Sequence, residues 1–193
     1  GRCRLTDKLG RLPRTDPEVT HMLEATLDIS SEHERTLCRL SELVYFCLEM
    51  RYQRLGVAYC EELREPADIL VRVLRRFFEV FPVSCKIGGD VVNDPIETSH
   101  SGRPTKTREG RRSVACNPLG QAQMLNSLGT DLNVLVGTCM GADCIFSQAS
   151  EAPVSTLFVK DRSLANNPIG AVYSDYYLRE AVQAPARSTS GAD

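Results

Sequence analysis

The chain has 193 residues, of which 42% are apolar, so it can form one domain of ordinary size whose core needs no disulfide bonds. Its formal charge of -2 argues against a general nucleic-acid-binding protein, which would usually be strongly basic. Neither an apolar run of membrane-spanning length nor a signal peptide is visible, so we expect a soluble, cytoplasmic protein without membrane or nucleic-acid partners.

Residues 1–52 are predicted to form a lead-in followed by a helical hairpin that packs on the core. An acidic residue and a proline at the start predict a helix over 17–28, and a capping box at 31–34 predicts the start of a second helix. Cys38 and Cys47 fall on or near the apolar face of that second helix. We interpret both as small buried hydrophobic residues and not as ligands.

Residues 53–183 alternate between short apolar runs and helical patterns. Strands are predicted at 54–59, 79–84, 132–138 and 154–159, and helices at 62–78, 118–128, 141–149 and 168–182. This alternation predicts an α/β fold with an open, mainly parallel sheet of about four strands, flanking helices and two preceding N-terminal helices. Pro82 in the second strand indicates an edge position or an irregularity.

Two segments carry no regular pattern. The polar segment 86–115 is predicted to be a long loop, because it is rich in glycine and proline. Its basic half is interpreted as a mobile flap, with a phosphate site as the alternative. The tail 184–193, rich in alanine and serine, is predicted to be disordered.

Four of the eight cysteines stand out by position. Cys60, Cys85 and Cys139 follow predicted strands, and Cys116 precedes a predicted helix start. Because the carboxyl ends of parallel strands meet at one edge of a sheet, where ligands bind, we expect these thiols to collect there. Thiolates suit zinc or an iron–sulfur cluster. No CxxC pair is present, so ordinary buried cysteines at strand ends remain the alternative.

Other polar residues fall at the same predicted edge. Lys86 and Asn117 are candidates for cofactor binding, although a lysine at a strand end can simply face solvent. Asp143 lies in the first turn of a predicted helix, where it would also complement the helix dipole. The weak catalytic candidates are Asp143 and three charged residues that either bind a small substrate or pair with one another: Lys160, Asp161 and Arg162.

The cysteines lie inside short motifs that follow one another along the chain. These motifs are Leu-Gly-Val-Ala-Tyr-Cys60, Val-Ser-Cys85-Lys86, Cys116-Asn117-Pro118-Leu-Gly-Gln121-Ala122, Val-Gly-Thr-Cys139-Met-Gly-Ala-Asp143 and Lys160-Asp161-Arg162. With them, the segment 39–177 resembles the family of small prokaryotic proteins called domain of unknown function 1847. Members of that family are often labelled metal-binding proteins, so the resemblance implies a metal site on the basis of cysteine content.

The chain departs from the family pattern at two places. The family carries an amino-terminal CxxC segment, to which only Cys3 could belong here, so the resemblance does not imply a second metal site at that end. The family also tends to have a histidine at the position of Ala142. Cys144, just beyond it, is a weak candidate for a substitute ligand.

Two functions follow from these observations. The first is a metal-binding protein with an iron–sulfur cluster or zinc at the strand ends, acting as a redox or small-molecule enzyme. The second is a non-catalytic structural or sensing module, in which a closed zinc site fastens the loop to the sheet. The sequence predicts neither the substrate nor the oligomeric state.

Overall fold

The computed structural model describes residues 16–32, 37–88, 91–92 and 113–183. Helix α1 (Pro17–Glu32) begins after Asp16, whose Oδ1 accepts a hydrogen bond from the N–H of Glu18 at 2.9 Å. The helix is longer than predicted and includes Ser31, whose Oγ donates to the carbonyl of Asp28. The prediction that Ser31 caps a second helix is therefore wrong, because its hydroxyl already bonds inside the last turn of α1.

Helix α2 (Arg39–Glu49) begins later than predicted, and Cys38 is its N-cap residue. Cys47 is fully buried, as predicted, whereas Cys38 is exposed. The prediction for Cys38 is wrong because a capping residue lies outside the apolar stripe of the helix. The hydroxyl of Ser41, 3.4 Å from the Cys38 sulfur, holds the pKa of that thiol below its usual value.

Within the described residues, six strands follow in chain order, and four of them form the central sheet. They are β1 (Arg54–Tyr59), β2 (Glu79–Ser84), β3 (Val91–Val92), β4 (Ser113–Val114), β5 (Leu132–Val136) and β6 (Val154–Phe158). The sheet order is β2-β1-β5-β6, and all three neighbouring pairs are parallel. Strand β2 is an edge strand, as Pro82 indicated. The predicted α/β fold with a four-stranded parallel sheet is confirmed.

Strands β3 and β4 pair antiparallel, with Val91 opposite Val114. They lie within the segment 86–115, so the prediction that this whole segment is loop is wrong at its two ends. Residues 86–88 and 115 of the predicted loop are also described, whereas 89–90 and 93–112 lie outside the described residues, as do Cys3 and the tail 184–193.

Several helices follow β1, and those between β1 and β6 flank the sheet. A short 3-10 turn (Glu61–Leu63) leads into α3 (Arg64–Leu74), followed by α4 (Pro118–Ser127), α5 (Met140–Ala149), α6 (Ile169–Val172) and α7 (Asp175–Gln183). The predicted helix 62–78 ends early because the chain turns to bring Glu79 N–H to the carbonyl of Gln53, 2.9 Å away. The predicted final helix is divided at Ser174, a residue type favoured at helix caps. No helix in the described ranges is both long and apolar enough to cross a membrane.

The sheet is buried on both faces, so alternate residues of β1 and β5 serve two cores. One core, with α2 and α3, contains Leu43, Leu55, Val57, Leu70 and Val134. The other, with α4 and α5, contains Ala58, Ala122, Leu125, Leu135 and Phe146. Burial on both faces is the usual environment of a parallel sheet and explains the near-continuous apolar runs in the sequence.

Gly56 on β1 lets α4 pack closely. A Cβ at this position would lie 2.0 Å from Asn133 Oδ1 and 2.7 Å from Leu125 Cδ1. Asn133 cannot turn away freely, because its Oδ1 accepts from Thr130 Oγ1 and its Nδ2 donates to Ser150 Oγ. We expect Gly56→Ala to lower the free energy of unfolding by about 1–3 kcal/mol through overpacking.

Urea denaturation measures this effect, and Gly141→Ala is the matched control. A Cβ at Gly141 meets no heavy atom within 4 Å, so its change should stay within about 0.5 kcal/mol. Equal stabilities of the two variants would contradict the close packing at Gly56.

The buried Cys47 makes stability depend on alkaline pH. Burial, reinforced by the charge of Asp131, raises the pKa of this thiol from 9.0 to about 12. The folded state therefore keeps a proton that the unfolded chain loses. The contribution of the protonated Cys47 thiol to the free energy of unfolding is complete below pH 9.0 and is lost as the pH rises toward 12. Over that window the free energy of unfolding should fall by up to ~1.4 kcal/mol per pH unit.

Urea denaturation between pH 8 and 11 tests this dependence. Tyr52 and Cys85, whose pKa values are also raised, contribute to the same slope. Cys47→Ala should flatten the slope without abolishing it. An unchanged slope would show that Cys47 does not hold its proton in the fold.

Candidate metal centre

The strand order defines a crevice at the carboxyl edge of the sheet. From β1 the chain goes to β2 on one side and then crosses to β5 on the other, so the order switches direction between β1 and β5. Ligands of open α/β sheets bind at such a point. Cys60 directly follows β1, Cys85 directly follows β2, and Cys139 lies three residues beyond the end of β5. Three of the four predicted ligands therefore follow neighbouring strands at one edge.

Cys85 and Cys116 are in direct contact. Their sulfur atoms are 3.7 Å apart, although 30 residues separate them in the chain. Cys85 is buried and Cys116 is exposed. Lys86 Nζ lies 3.5 Å from the Cys116 sulfur, so a positive charge adjoins the exposed member of the pair.

Asn117 fastens the Cys116 segment to the turn after β2. Its N–H donates to the carbonyl of Cys85 at 2.7 Å, and its Nδ2 donates to the carbonyl of Ile87 at 3.2 Å. Its Oδ1 caps α4 by accepting the N–H of Gly120 at 2.8 Å. All the polar atoms of this side chain therefore have partners in the protein, which gives Asn117 a positioning role beside its predicted role in cofactor binding.

The Cys85 thiol lies in an environment that opposes ionisation. Burial raises its pKa to about 11, the neighbouring Cys116 adds to the rise, and a hydrogen bond from the N–H of Glu61 at 3.4 Å opposes it. A bound cation would reverse this balance, because metal ligation requires the thiolate form. Glu61 itself accepts a hydrogen bond from Ser84 Oγ at 2.6 Å, which holds the pKa of its carboxyl below the usual value.

Cys60 is buried next to the ammonium group of Lys160. The Lys160 side chain is only 9% exposed and its Nζ lies 3.4 Å from Glu62 Oε2. Burial alone would lower the pKa of this lysine, but hydrogen bonding to Cys60 and the charge of Glu62 raise it overall. Lys160 therefore stays positively charged beside the Cys60 sulfur.

The other charged candidates already have partners. Arg162 donates two hydrogen bonds to Glu62, at 3.1 and 2.5 Å, and this lowers the pKa of the Glu62 carboxyl. Asp161 Oδ1 accepts the backbone N–H groups of Ser163 and Leu164, both at 3.0 Å. These contacts correspond to the alternative in which the charged residues after β6 pair within the protein. They leave the predicted catalytic roles as predictions.

The segment between β5 and α5 carries the remaining candidates. Cys139 is the N-cap residue of α5, at the end of the helix that bears partial positive charge. Thr138 donates a hydrogen bond from its Oγ1 to Asp143 Oδ1, so Asp143 helps to hold this turn. Cys139 and Cys144 are both exposed. Within the described part of the chain, no three histidine, cysteine or acidic side chains form a ready-made metal-binding group.

Sequence reasoning missed two residues that organise the edge. Glu62 joins Lys160 to Arg162, and Gln121 is fully buried on α4. Gln121 Nε2 donates to the carbonyls of Tyr59 at 3.2 Å and Val83 at 2.7 Å, just before Cys60 and Cys85. The only signal for Gln121 was its place in the motif that begins at Cys116. Nothing near Glu62 in the sequence indicated a partner 100 residues away.

Comparison with known proteins agrees with the motif pattern. No solved structure matches the chain. The chain is similar to the uncharacterized protein MJ0455 of Methanocaldococcus jannaschii, with 39% identity over 166 residues, covering 86% of this chain and 79% of that protein. A family model matches residues 6–157, a span that contains the strands β1, β2 and β5 and the four cysteines at their edge. The chain therefore belongs to the family described as Protein of unknown function (DUF1847).

Proposed function

We propose that the chain is a metal-binding protein whose ligands are Cys60, Cys85, Cys116 and Cys139. The observation that carries the proposal is the contact between the sulfurs of Cys85 and Cys116, 3.7 Å apart. Two sulfurs that each lie ~2.3 Å from one tetrahedral zinc ion are ~3.8 Å apart. The pair thus already has the spacing of one edge of a thiolate tetrahedron.

Cys60 and Cys139 are suited to complete the set because they border the same crevice. The backbone N–H of Cys60 donates to the carbonyl of Val136 at 3.1 Å, which ties the end of β1 to the end of β5. Neighbouring strands lie ~4.8 Å apart, a distance that side-chain rotation at a strand end can bridge. Closing the site requires these two sulfurs to turn toward the Cys85–Cys116 pair.

Positive charge around the cysteines supports the proposal. Four thiolates around a divalent ion leave an excess of negative charge, which is costly near a protein interior unless it is compensated. Lys86 adjoins Cys116, and Lys160 adjoins Cys60. The charge of Arg162 also acts on Cys60 and Cys139. Three cations therefore lie near the cysteines at this edge, and two of them also pair with Glu62.

The sulfur spacing favours a site in which two thiolates share one metal ion. Zinc in a four-cysteine site meets this condition, and so does an iron of a [2Fe–2S] cluster. In a [4Fe–4S] cluster each thiolate binds a different iron, so the sulfurs are farther apart. We therefore favour zinc or [2Fe–2S] over [4Fe–4S].

The contacts around the site favour a structural or sensing module over an enzyme acting on a small substrate. Cys116 and Asn117 join the start of α4 to the turn after β2, so an ion held there would fasten two elements of the fold. The cations after β6 already share Glu62. An enzyme would need an open coordination position, which three cysteine ligands and a water would provide.

Titration of metal-free protein with Co²⁺ under anaerobic conditions tests the proposal. We expect saturation at about one ion per chain, a sulfur-to-cobalt charge-transfer band, the visible bands of tetrahedral cobalt, and displacement of cobalt by zinc. A spectrum of hydrated octahedral cobalt throughout the titration would refute thiolate ligation. A tetrahedral spectrum that changes on adding a small anion would indicate an open position and favour the enzyme.

A further inference from the structure

We infer that Cys85 and Cys116 form an oxidisable dithiol, at which hydrogen peroxide closes a reversible disulfide. Their sulfurs are in contact at 3.7 Å, and a disulfide bond of about 2.05 Å requires them to approach by only ~1.7 Å. The inference goes beyond the proposed metal site, because it concerns the two thiols themselves and applies to metal-free protein.

The backbone holds the two cysteines together. The hydrogen bonds from Asn117 to the carbonyls of Cys85 and Ile87 attach the segment after β2 to the segment before α4. The backbone at the two cysteines therefore already has the proximity that the bond requires. Side-chain rotation of Cys116, which is exposed, can supply the remaining approach.

Exposure assigns a different role to each sulfur. Cys116 is exposed and meets the oxidant, whereas Cys85 is only 4% exposed and is reached through Cys116. The Cys116 sulfur attacks one oxygen of the peroxide, the O–O bond breaks, and a sulfenic acid and one water form. The Cys85 sulfur then attacks the Cys116 sulfur, the S–O bond breaks, and the hydroxyl leaves with the Cys85 proton as a second water. The peroxide gains two electrons, and the two thiols lose them.

The disulfide would also control the metal site, a consequence that rests on the proposed function. A disulfide retains no thiolate for ligation, so its formation would remove two of the four proposed ligands at once. Bound zinc should in turn protect the pair from peroxide. A thiol reductant would restore both thiols and the site.

The experiment treats chelator-stripped full-length protein with hydrogen peroxide and digests it with trypsin after blocking the remaining thiols. We expect a link, reversible by dithiothreitol, between the peptides 77–86 and 113–160, with fragmentation placing the bond at Cys85 and Cys116. Zinc-loaded protein should form this link at least ~10-fold more slowly and release its zinc as the link forms. If the stripped protein forms the link but binds no zinc, the inference of an oxidisable dithiol holds and only the metal proposal is refuted.

Three variants test which sulfur atoms form the link and which one carries the sulfenic acid. Cys116→Ser should abolish the link, and Cys85→Ser should leave a sulfenic acid on Cys116 that dimedone traps. Cys144→Ser, which removes an exposed thiol from the same tryptic peptide, should leave the link unchanged. A sulfenic acid that persists on Cys116 of the unsubstituted protein without any link to Cys85, or a link through Cys139 or Cys144, would overturn the inference.

Discussion

Cys85→Ser and Cys116→Ser are each expected to weaken zinc binding by more than ~100-fold. Changing residues that merely orient a metal ligand already costs 10–100-fold in affinity, and a serine hydroxyl is a much poorer ligand than a thiolate. Cys60→Ser and Cys139→Ser should act in the same direction. Competition with a chromogenic zinc chelator measures the affinity of each variant.

Cys38→Ser and Cys144→Ser are the matched controls, because both remove an exposed thiol. Their zinc affinity should stay within ~3-fold of the unsubstituted chain, since neither cysteine belongs to the proposed ligand set. Similar losses in the two groups of variants would undo the ligand assignment. A selective loss in Cys144→Ser would instead make that residue a ligand.

Gln121→Ala is expected to lower the free energy of unfolding by about 2–4 kcal/mol. The side chain is fully buried, so its removal leaves a cavity and withdraws the donor that joins the carbonyls of Tyr59 and Val83. Because these carbonyls lie just before Cys60 and Cys85, zinc affinity should also fall by ~10–100-fold. Urea denaturation and zinc competition measure the two effects.

Gln123→Ala on the exposed side of the same helix is the control, and it should change stability by less than about 0.5 kcal/mol. Hydrogen exchange distinguishes a local effect from general destabilisation. In Gln121→Ala, the amide of Cys85, which donates to Tyr59, should lose more protection than amides in β5. Uniform loss of protection would mean that Gln121 supports the core without positioning the cysteines.

Much of the fold could be predicted because the strands are short apolar runs with clear ends. The predicted bounds of β1 and β2 agree with the structure, since Gln53 and Cys60 limit one run, and Glu79 and Cys85 limit the other. Capping chemistry at Asn117 and the glycine at 129, which has a positive φ of 60°, similarly defined α4. These are local signals, and local signals are visible in a sequence.

The arrangement of the site depended on information that is not local. The strand order places β5, the strand that precedes Cys139, beside β1, and no residue pattern in the sequence predicted that placement. The same holds for the ion pair of Glu62 with Arg162 and for the contact of Gln121 with β1 and β2. The position of Cys38 outside the core was missed because the start of α2 was predicted too early, from a capping box at Ser31 that the structure does not use.

The most direct test of the central claim is metal and acid-labile sulfide analysis, with an absorption spectrum, on full-length protein purified without oxygen. We predict about one zinc per chain, no sulfide and no visible absorption, as expected when the four cysteines hold a single ion. Iron with matching sulfide and an absorption band in the visible region would keep cysteine ligation but replace zinc with a cluster. Protein that contains neither zinc nor iron, and takes up neither after reduction, would contradict the proposal that the four cysteines bind a metal. They would then be ordinary cysteines at strand ends.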